Sequence, residues 1–315
     1  MTSSARALAF FDEARAGFPG ERIAHYQLAG RTVRIATGDG FDFVHRAFAH
    51  LRVDAPSGHD LEICVWQKSG MPAPPWRTDD YGPRGEIRGF NDPRFSTAFD
   101  HLASSLSMFD RERHRAIFWT RDASALPQSE HGAPLKTILH WWLEMRGDLF
   151  VHAAAIGNDS GAVLLAGEGG AGKSTTAILC ARNGLTYLAD DYCAVEMSAP
   201  PRVHSLYGTG KLVRENSRDE KELLYPEMKR AAPLPLRAIF VPLICSSAKE
   251  TTIEPTNASA AFKALVPSTI SQLPGAGAQT FQRLAQLAQA LPCFQLNLAR
   301  DFDRIGQVVR DFLER

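Results

Sequence analysis

No sign of charge predominates in this chain: 35 lysines and arginines stand against 35 aspartates and glutamates, a formal net charge of zero over 315 residues. Nor is there a long basic run interleaved with aromatics, so bulk electrostatics gives no reason to expect nucleic acid or an anionic membrane as a partner. Cysteine is sparse and scattered. The five, Cys64, Cys180, Cys193, Cys245 and Cys293, never form a Cys-x-x-Cys pair, which fits reduced thiols in a cytoplasm rather than a disulfide framework or a zinc ribbon. Long hydrophobic runs are missing too. The apolar stretch from Ala7 to Phe11 stops at Asp12-Glu13 and has only Arg6 as a positive lead, too little for a signal-peptide core. The longest uncharged run, 264–282, contains Pro267, Pro274 and several hydroxyl and amide side chains, so it is no membrane span. These absences predict a cytoplasmic protein.

What is present is material for a core. Hydrophobic residues make up 44% and charged residues 22%, which excludes collagen-like, coiled-coil and wholly disordered chains and allows one large or two medium domains. Arg31 to Ile35 alternates with the period of a strand, Phe41 to Leu51 has helical spacing at Phe41, Val44, Phe48 and Leu51, and Leu61 to Trp66 is a short apolar run. From 69 to 93 the chain carries five prolines and four glycines, which predicts a loop or lid-like excursion because each proline removes a backbone donor and bars its predecessor from a helix. Strands around Ser105–Phe109 and Arg115–Thr120 would close a β-rich N-terminal domain over 1–125, leaving 126–315 for a second.

In that second domain Pro134 sits as a first-turn proline, Leu135, Ile138, Leu139, Trp142 and Met145 follow at helical spacing, and Gly147 supplies a left-handed stop. The apolar runs Leu149–Ile156 and Ala162–Ala166, divided by a turn-rich linker, predict two adjacent strands in a hairpin. Farther on, 215–230 alternates in charge sign and predicts an exposed helix or lid. A strand over Leu236–Cys245 is opened by Arg237. Helical faces at Phe281, Leu284, Ala285, Ala288 and Leu291, and at Ile305, Val308, Val309 and Phe312, predict core-packed helices.

The chemistry is concentrated in one motif. Gly167-Glu168-Gly169-Gly170-Ala171-Gly172-Lys173-Ser174 satisfies G-x-x-x-x-G-K-[ST], and the strand-like Ala162–Ala166 before it and the helical run from Thr175 after it are the context such a loop requires. Glycines let backbone amides turn inward around a phosphate chain, and the new helix adds its free N–H groups. Lys173 would then reach the β- and γ-phosphates and Ser174 would ligate Mg²⁺. Asp190 follows Lys173 by 17 positions, enough for one helix and a return strand, and the pair Asp190-Asp191 ends that strand. One carboxylate can hold Mg²⁺ while the other accepts a proton from an attacking hydroxyl. His152, between Val151 and three alanines, is either a core histidine or a cationic donor near the phosphates. Arg237 is the best downstream candidate for a transition-state arginine, and Lys211 is a weaker candidate for the nucleotide or acceptor.

His152, then 167–174, then Leu188-Ala189-Asp190-Asp191 resemble, in order and spacing, the catalytic domain of HPr kinase/phosphorylase, whose fold is related to nucleotide-dependent phosphoenolpyruvate carboxykinase. The wider group includes kinases of lasso-peptide precursors. The match covers 148–195, about a sixth of the chain. It implies an α/β fold with an HPr-kinase-like P-loop domain behind the β-rich α+β N-terminal domain. It also implies ATP and Mg²⁺ as cofactors, with Gly167 to Thr175 on the phosphates and Ser174 and Asp191 on the metal side. Asp190 would be the base and His152 a phosphate-facing helper, the two aspartate roles being open to exchange. The Glu-Ile-Arg-Gly-Leu-Gly signature that HPr kinases carry downstream of the Asp pair is absent. Its look-alike Glu86-Ile87-Arg88-Gly89-Phe90 lies upstream, which puts HPr as substrate and a hexameric assembly in doubt. The leading expectation is therefore an ATP-dependent kinase acting on a serine hydroxyl of a peptide or protein, such as a lasso-peptide precursor. A nucleotide-binding regulatory protein that hydrolyses ATP slowly or not at all, and a small-molecule kinase, are the alternatives.

Overall fold

Alternation and apolar runs in the sequence become two mixed β-sheets flanked by eight α-helices among the described residues. The computed structural model describes residues 2–68, 71–213, 221–224 and 232–315. Two packed units divide the chain. Met1–Arg146 joined by Gln272–Gly275 forms the first, and Gly147–Ser271 with Ala276–Arg315 forms the second. The division therefore falls after Arg146, where the sequence reading places it near 125.

The first unit contains α1 (Ser3–Ala16), β1 (Arg22–Leu28), β2 (Arg31–Thr37), α2 (Asp42–Ala47), β3 (Arg52–Val53) and β4 (Leu61–Gln67), followed by β5 (Phe95–Asp100), β6 (Ser105–Asp110), β7 (Arg115–Thr120), α3 (Gln128–Gly132) and α4 (Lys136–Met145). Its seven strands run in the order β3-β1-β2-β4-β7-β6-β5. The pairs β2·β4 and β4·β7 are parallel and the rest antiparallel. The expected lid over 69–93 is instead anchored in the core by three of its side chains: Trp76, Ile87 and Phe90 are buried with Phe10, Phe11 and Trp66. Proline blocks helix and ladder bonds, but it does not keep the large side chains between the prolines from being buried. Helix α4 starts at Lys136, not at Pro134, because Leu135 takes a left-handed backbone (φ +62°) that ends the preceding turn. Gly147, at φ +86°, terminates the helix as expected.

The second unit holds β8 (Leu149–Val151), β9 (Ala154–Asn158), β10 (Gly161–Leu165), α5 (Lys173–Arg182), β11 (Thr186–Ala189), β12 (Cys193–Glu196), β13 (Arg202–His204), β14 (Gly210–Val213) and β15 (Lys221–Leu224). Then come β16 (Leu234–Ile244), β17 (Thr252–Thr256), α6 (Ala258–Gln272), α7 (Ala278–Ala290), β18 (Cys293–Leu298) and α8 (Phe302–Leu313). Leu149–Ile156 is not one strand but two. Val151 pairs with Cys193 while Ala154 pairs with Leu165, so the chain changes neighbours at His152-Ala153, and a short Ala153 N–H bond to the Val151 carbonyl (3.0 Å) marks the break. β9 and β10 form the expected hairpin. The predicted helix or lid over 215–230 lies mainly outside the described residues; its described part, β15, is a strand paired with β14.

Strand direction positions the site. β10 runs parallel to β16 and β16 parallel to β18, while β9 is antiparallel to both β10 and β11. The carboxyl ends of β10, β11, β16 and β18 and the amino end of β9 therefore share one edge of the sheet, the edge at which α/β sheets bind ligands. Two apolar layers hold it. Helices α6 and α7 cover one face through Ala261, Leu265, Leu284, Leu287 and Ala288, and α5 and α8 cover the other through Ala177, Cys180, Ile305 and Val309.

Candidate active site at the carboxyl edge of the second sheet

The glycine-rich loop leaves β10 after Ala166, whose N–H is held by the Phe240 carbonyl at 2.8 Å. Glu168, Gly169 and Gly170 are exposed, whereas Gly167 is buried, so the loop opens outward from a fixed root. Gly172 turns the chain into α5 at φ +93°, and a Cβ there would meet the Leu298 Cδ1 atom at 2.8 Å. Glycine is thus required twice at one position, once by backbone conformation and once by space. Lys173 is buried and folds its ammonium back onto the loop, donating to the carbonyls of Gly167 (2.6 Å) and Glu168 (3.1 Å). Ser174 is half-buried and Thr175 exposed on the first turn of α5, and the free N–H groups of that turn favour an anion.

Asp190 and Asp191 follow β11 directly. They are not on the strand next to β10, because β9 lies between, which sets β10 and β11 about 10 Å apart. The two carboxylates differ in setting. Asp190 is 3% exposed, whereas the Asp191 side chain is 25% exposed and its Oδ1 lies 3.0 Å from His152 Nε2. His152 reaches that edge because of the break between β8 and β9. Its backbone N–H donates to Thr269 Oγ1 at 3.2 Å, and its ring meets Tyr192 edge-on with centroids 4.9 Å apart. Tyr192 in turn stacks on Phe150 at 4.7 Å.

Three buried phenols border the aspartates. Burial, with the charges of Asp190 and Asp191 behind it, raises the pKa of Tyr187 far above the ordinary tyrosine value. Burial and Asp191 raise Tyr192 likewise, and burial, Tyr192 and Asp191 raise Tyr207. These phenols stay neutral and serve as packing and hydrogen-bonding groups, as Tyr187 does by donating to the Thr209 carbonyl at 3.1 Å.

The sheet therefore brings together His152, the loop 167–174, Thr175, Asp190 and Asp191. It does not bring Arg237 to them. Arg237 stands at the entry of β16, one residue past the Leu236 that pairs with Ala162, while the loop leaves beyond the Leu165–Phe240 pair, roughly 10 Å farther along the strand. Its stem packs beside Gly161 at the opposite edge. The reason is register: a long strand exposes its first residues at the end away from the parallel loop. Nothing is described of the Lys211 side chain. The sequence reading missed Tyr192 and Thr269, which fix the His152 ring and backbone. Tyr192 is foreshadowed only by following the Asp pair, and Thr269, on α6, has no local signal at all.

No family model matches the chain, and no curated protein matches it. Among solved structures, the Hpr(Ser) kinase/phosphatase from Coxiella burnetii is similar at 12% identity with a TM-score of 0.32, over 52% of this chain and 95% of that one. No helix among the described residues is long and apolar enough to cross a membrane.

Proposed function

We propose that the protein is an ATP-dependent kinase that moves the γ-phosphoryl group of ATP to a serine hydroxyl of a peptide or protein. The observation that carries this reading is the convergence, on one carboxyl edge, of a G-x-x-x-x-G-K-S loop opening a helix and an Asp-Asp pair closing the return strand, with His152 3.0 Å from the second aspartate. A loop alone would suit a nucleotide sensor. A carboxylate able to take a proton beside the γ-phosphate favours transfer.

In this reading the backbone amides of 167–172 and the first turn of α5 bind the phosphate chain, and Lys173 exchanges its loop carbonyls for β- and γ-phosphate oxygens. The acceptor hydroxyl gives its proton to a carboxylate as its oxygen bonds to the γ-phosphorus. The bond from that phosphorus to the β,γ-bridging oxygen breaks, and ADP leaves. Asp191 is the better proton acceptor of the pair. It is the more exposed, so an incoming hydroxyl can meet it, and His152 fixes its orientation. Buried Asp190 then faces the metal, which exchanges the roles expected from the sequence.

No group of three or more His, Cys, Asp or Glu side chains able to hold a metal occurs among the described residues. The donors at this edge are the Ser174 hydroxyl and a carboxylate, hard oxygen ligands that suit Mg²⁺ and leave positions for phosphate oxygens and water. When bound, the ion neutralises charge on the phosphates. Catalysis is otherwise positioning and charge neutralisation.

The acceptor class follows from the sequence resemblance: the serine of a short flexible peptide, such as a lasso-peptide precursor. A disordered segment can present its hydroxyl to Asp191 at the cost of ordering a few residues. The test is mass spectrometry of such a precursor after incubation with Mg-ATP, with a phosphate expected that is lost when its acceptor serine is replaced by alanine. Phosphorylation of a small metabolite or of folded HPr, without phosphopeptide, rejects the acceptor and keeps the kinase. ATP turnover that no acceptor stimulates rejects the kinase.

A further inference from the structure

The two edges of the first unit's sheet are not equally closed. At one end β5 is bonded to the chain before it: the Ile87 N–H donates to the Thr97 carbonyl (3.1 Å) and the Phe99 N–H to the Gly85 carbonyl (2.9 Å). At the other end β3 has two residues and pairs with β1 only at His25 and Tyr26. Beyond Val53 the chain leaves the sheet, and 54–59 is exposed throughout. Arg22, Ile23 and Ala24 therefore have β2 on one side and no strand on the other. The hairpin decides which backbone groups face that opening. Ala29 and Gly30 form its two-residue turn, both at positive φ, so Leu28 and Arg31 exchange both bonds of a pair, and alternation along β1 turns the N–H and carbonyl of Ile23 outward. The Ile23 side chain is 49% exposed, on the face opposite Ala24 and Tyr26.

Arginines flank the same opening. Arg22 lies at its start, Arg52 beside Tyr26 at its end and Arg46 on α2, and together with Asp42, His45 and Ala49 they line a pocket of about 310 Å³. Arg22, Ala24, Tyr26 and the Arg52 that pairs with Tyr26 share one face of the sheet. That face is the one α2 covers, where Tyr26 meets His45 and Phe48. The pocket thus follows the strand edge where a longer β3 would run. Its charge is uneven: three guanidinium groups stand against one carboxylate, Asp42, which pairs with Arg22. Arg52 has no ion pair among the described residues. Burial, reinforced by Arg22 and Arg52 and opposed by Asp42, lowers the pKa of His45 to about 4, so the histidine is neutral at pH 7 and does not repel a further cation or attract an anion itself.

We propose that the open edge of β1 receives an extended, acidic segment of a partner polypeptide, which adds a strand at Ile23 and places its carboxylates in the arginine-lined pocket. Both halves of the site point to this occupant. An unpaired edge recognises extended backbone. Alternate side chains of an added strand fall on opposite faces, so guanidinium groups on one face and exposed Ile23 on the other select a segment whose acidic residues alternate with apolar ones. Charges that guard an edge against self-pairing repel strands of like charge, whereas an acidic strand is attracted. Nucleic acid or an anionic membrane would meet the arginines but leave the backbone of Ile23 unused. The site draws only on the first unit, so it stands whether or not the second unit transfers phosphate.

Fluorescence anisotropy of the full chain with a labelled, acetylated Glu-Val-Glu-Val-Glu-Val peptide, in the absence of nucleotide, tests it. Saturable binding is expected, at least about tenfold weaker in the double variant Arg46→Gln, Arg52→Gln, both at exposed positions, and the Lys-Val counterpart should not bind. Equal affinity of wild type and the double variant, or of the acidic and basic peptides, overturns the proposal. N-methylated peptides read the edge on the wild-type chain. One peptide carries methyl groups on its glutamate amides and the other on its valine amides; only one of these sets can face β1, so binding should fall about tenfold for one peptide and little for the other. Equal behaviour of the two methylated peptides overturns strand addition. Absence of saturable peptide binding overturns the proposal as well, including the case in which phosphatidylserine vesicles or single-stranded DNA bind through the same arginines.

Discussion

The two units bury charged and polar groups in different ways. In the first, two clusters are enclosed by their own partners. Glu62, on the central strand β4, is almost fully enclosed and accepts Arg15 and Arg34 at 2.5 Å each and Arg115 at 3.3 Å. His45 lies between the Tyr26 hydroxyl (2.6 Å) and the Thr37 hydroxyl (2.9 Å). Burial lowers the pKa of His45 and His50 to about 4 and that of His140 to about 3. In the second unit several such groups are brought to a single sheet edge, while His204 pairs with Glu196 away from it (3.1 Å). Lys173 rests on backbone carbonyls of an open loop, and Asp191 meets His152 while staying partly exposed. In these clusters similar residue types are thus enclosed by partners in one unit and left facing outward at strand ends in the other, the setting in which functional groups are sought.

Substitutions should separate the two units cleanly. The largest effect is expected at the edge: Asp191→Asn keeps size and hydrogen bonding but removes the proton acceptor, so phosphoryl transfer should fall by about 10² to 10⁴ with nucleotide binding retained. Asp190→Asn should instead raise the Mg²⁺ concentration needed for half-maximal rate. Steady-state assays across a Mg²⁺ series check both, and a mild Asp191→Asn beside a crippled Asp190→Asn would return the base role to Asp190.

In the first unit, Glu62→Gln leaves three guanidinium groups around an uncharged amide. Urea denaturation should show a loss of about 3 kcal/mol, with photolabelling of the second unit by azido-nucleotide unchanged in folded protein. A variant as stable as wild type would mean that solvent already screens those arginines.

Acid should discriminate between the units more gently. A histidine held neutral, with a folded pKa of about 4 against an ordinary 6.5, binds its proton more readily when unfolded. Its contribution to stability is complete above pH 6.5, declines as pH falls, and is exhausted near pH 4. Unfolding midpoints measured between pH 7 and 4 should therefore drop, and His45→Gln should flatten the profile. The smallest effect is expected at Arg237→Ala: transfer rates within about twofold of wild type, because loss of an exposed side chain far from the chemistry is nearly neutral. A hundredfold loss would restore the arginine to the catalytic set.

Local signals made the second unit's edge legible. The glycine spacing and the turn at 157–161 each act over a few residues, and they place β10, α5 and β11 within a residue or two of where the sequence reading put them, whereas β9 begins at Ala154 and not at Leu149. The break at His152-Ala153 was hidden because Phe150 to Ile156 is apolar apart from His152 itself, with no proline or glycine before Gly157. Only the competing ladders to Cys193 and Leu165 divide it. For Arg237 the strand was legible but not its register against β10, and register decides which end of a strand faces the loop. Helix α1 passed as a short apolar stretch because only Ala7, Phe10, Phe11 and Ala14 are buried along its 14 residues. The Pro-rich segment misled for a related reason. Its backbone chemistry describes a loop, while the burial of Trp76 and Phe90 is a tertiary outcome.

The central claim is that the loop 167–174 is a phosphate site. Calorimetric titration of Mg-ATP into the wild-type protein and into Lys173→Ala tests it most directly, since the ammonium is the fixed positive charge that the β- and γ-phosphates would meet. Saturable binding to wild type and at least tenfold weaker binding to a folded Lys173→Ala is the expected result. Equal affinities in the two proteins, or no binding to wild type, would contradict the account.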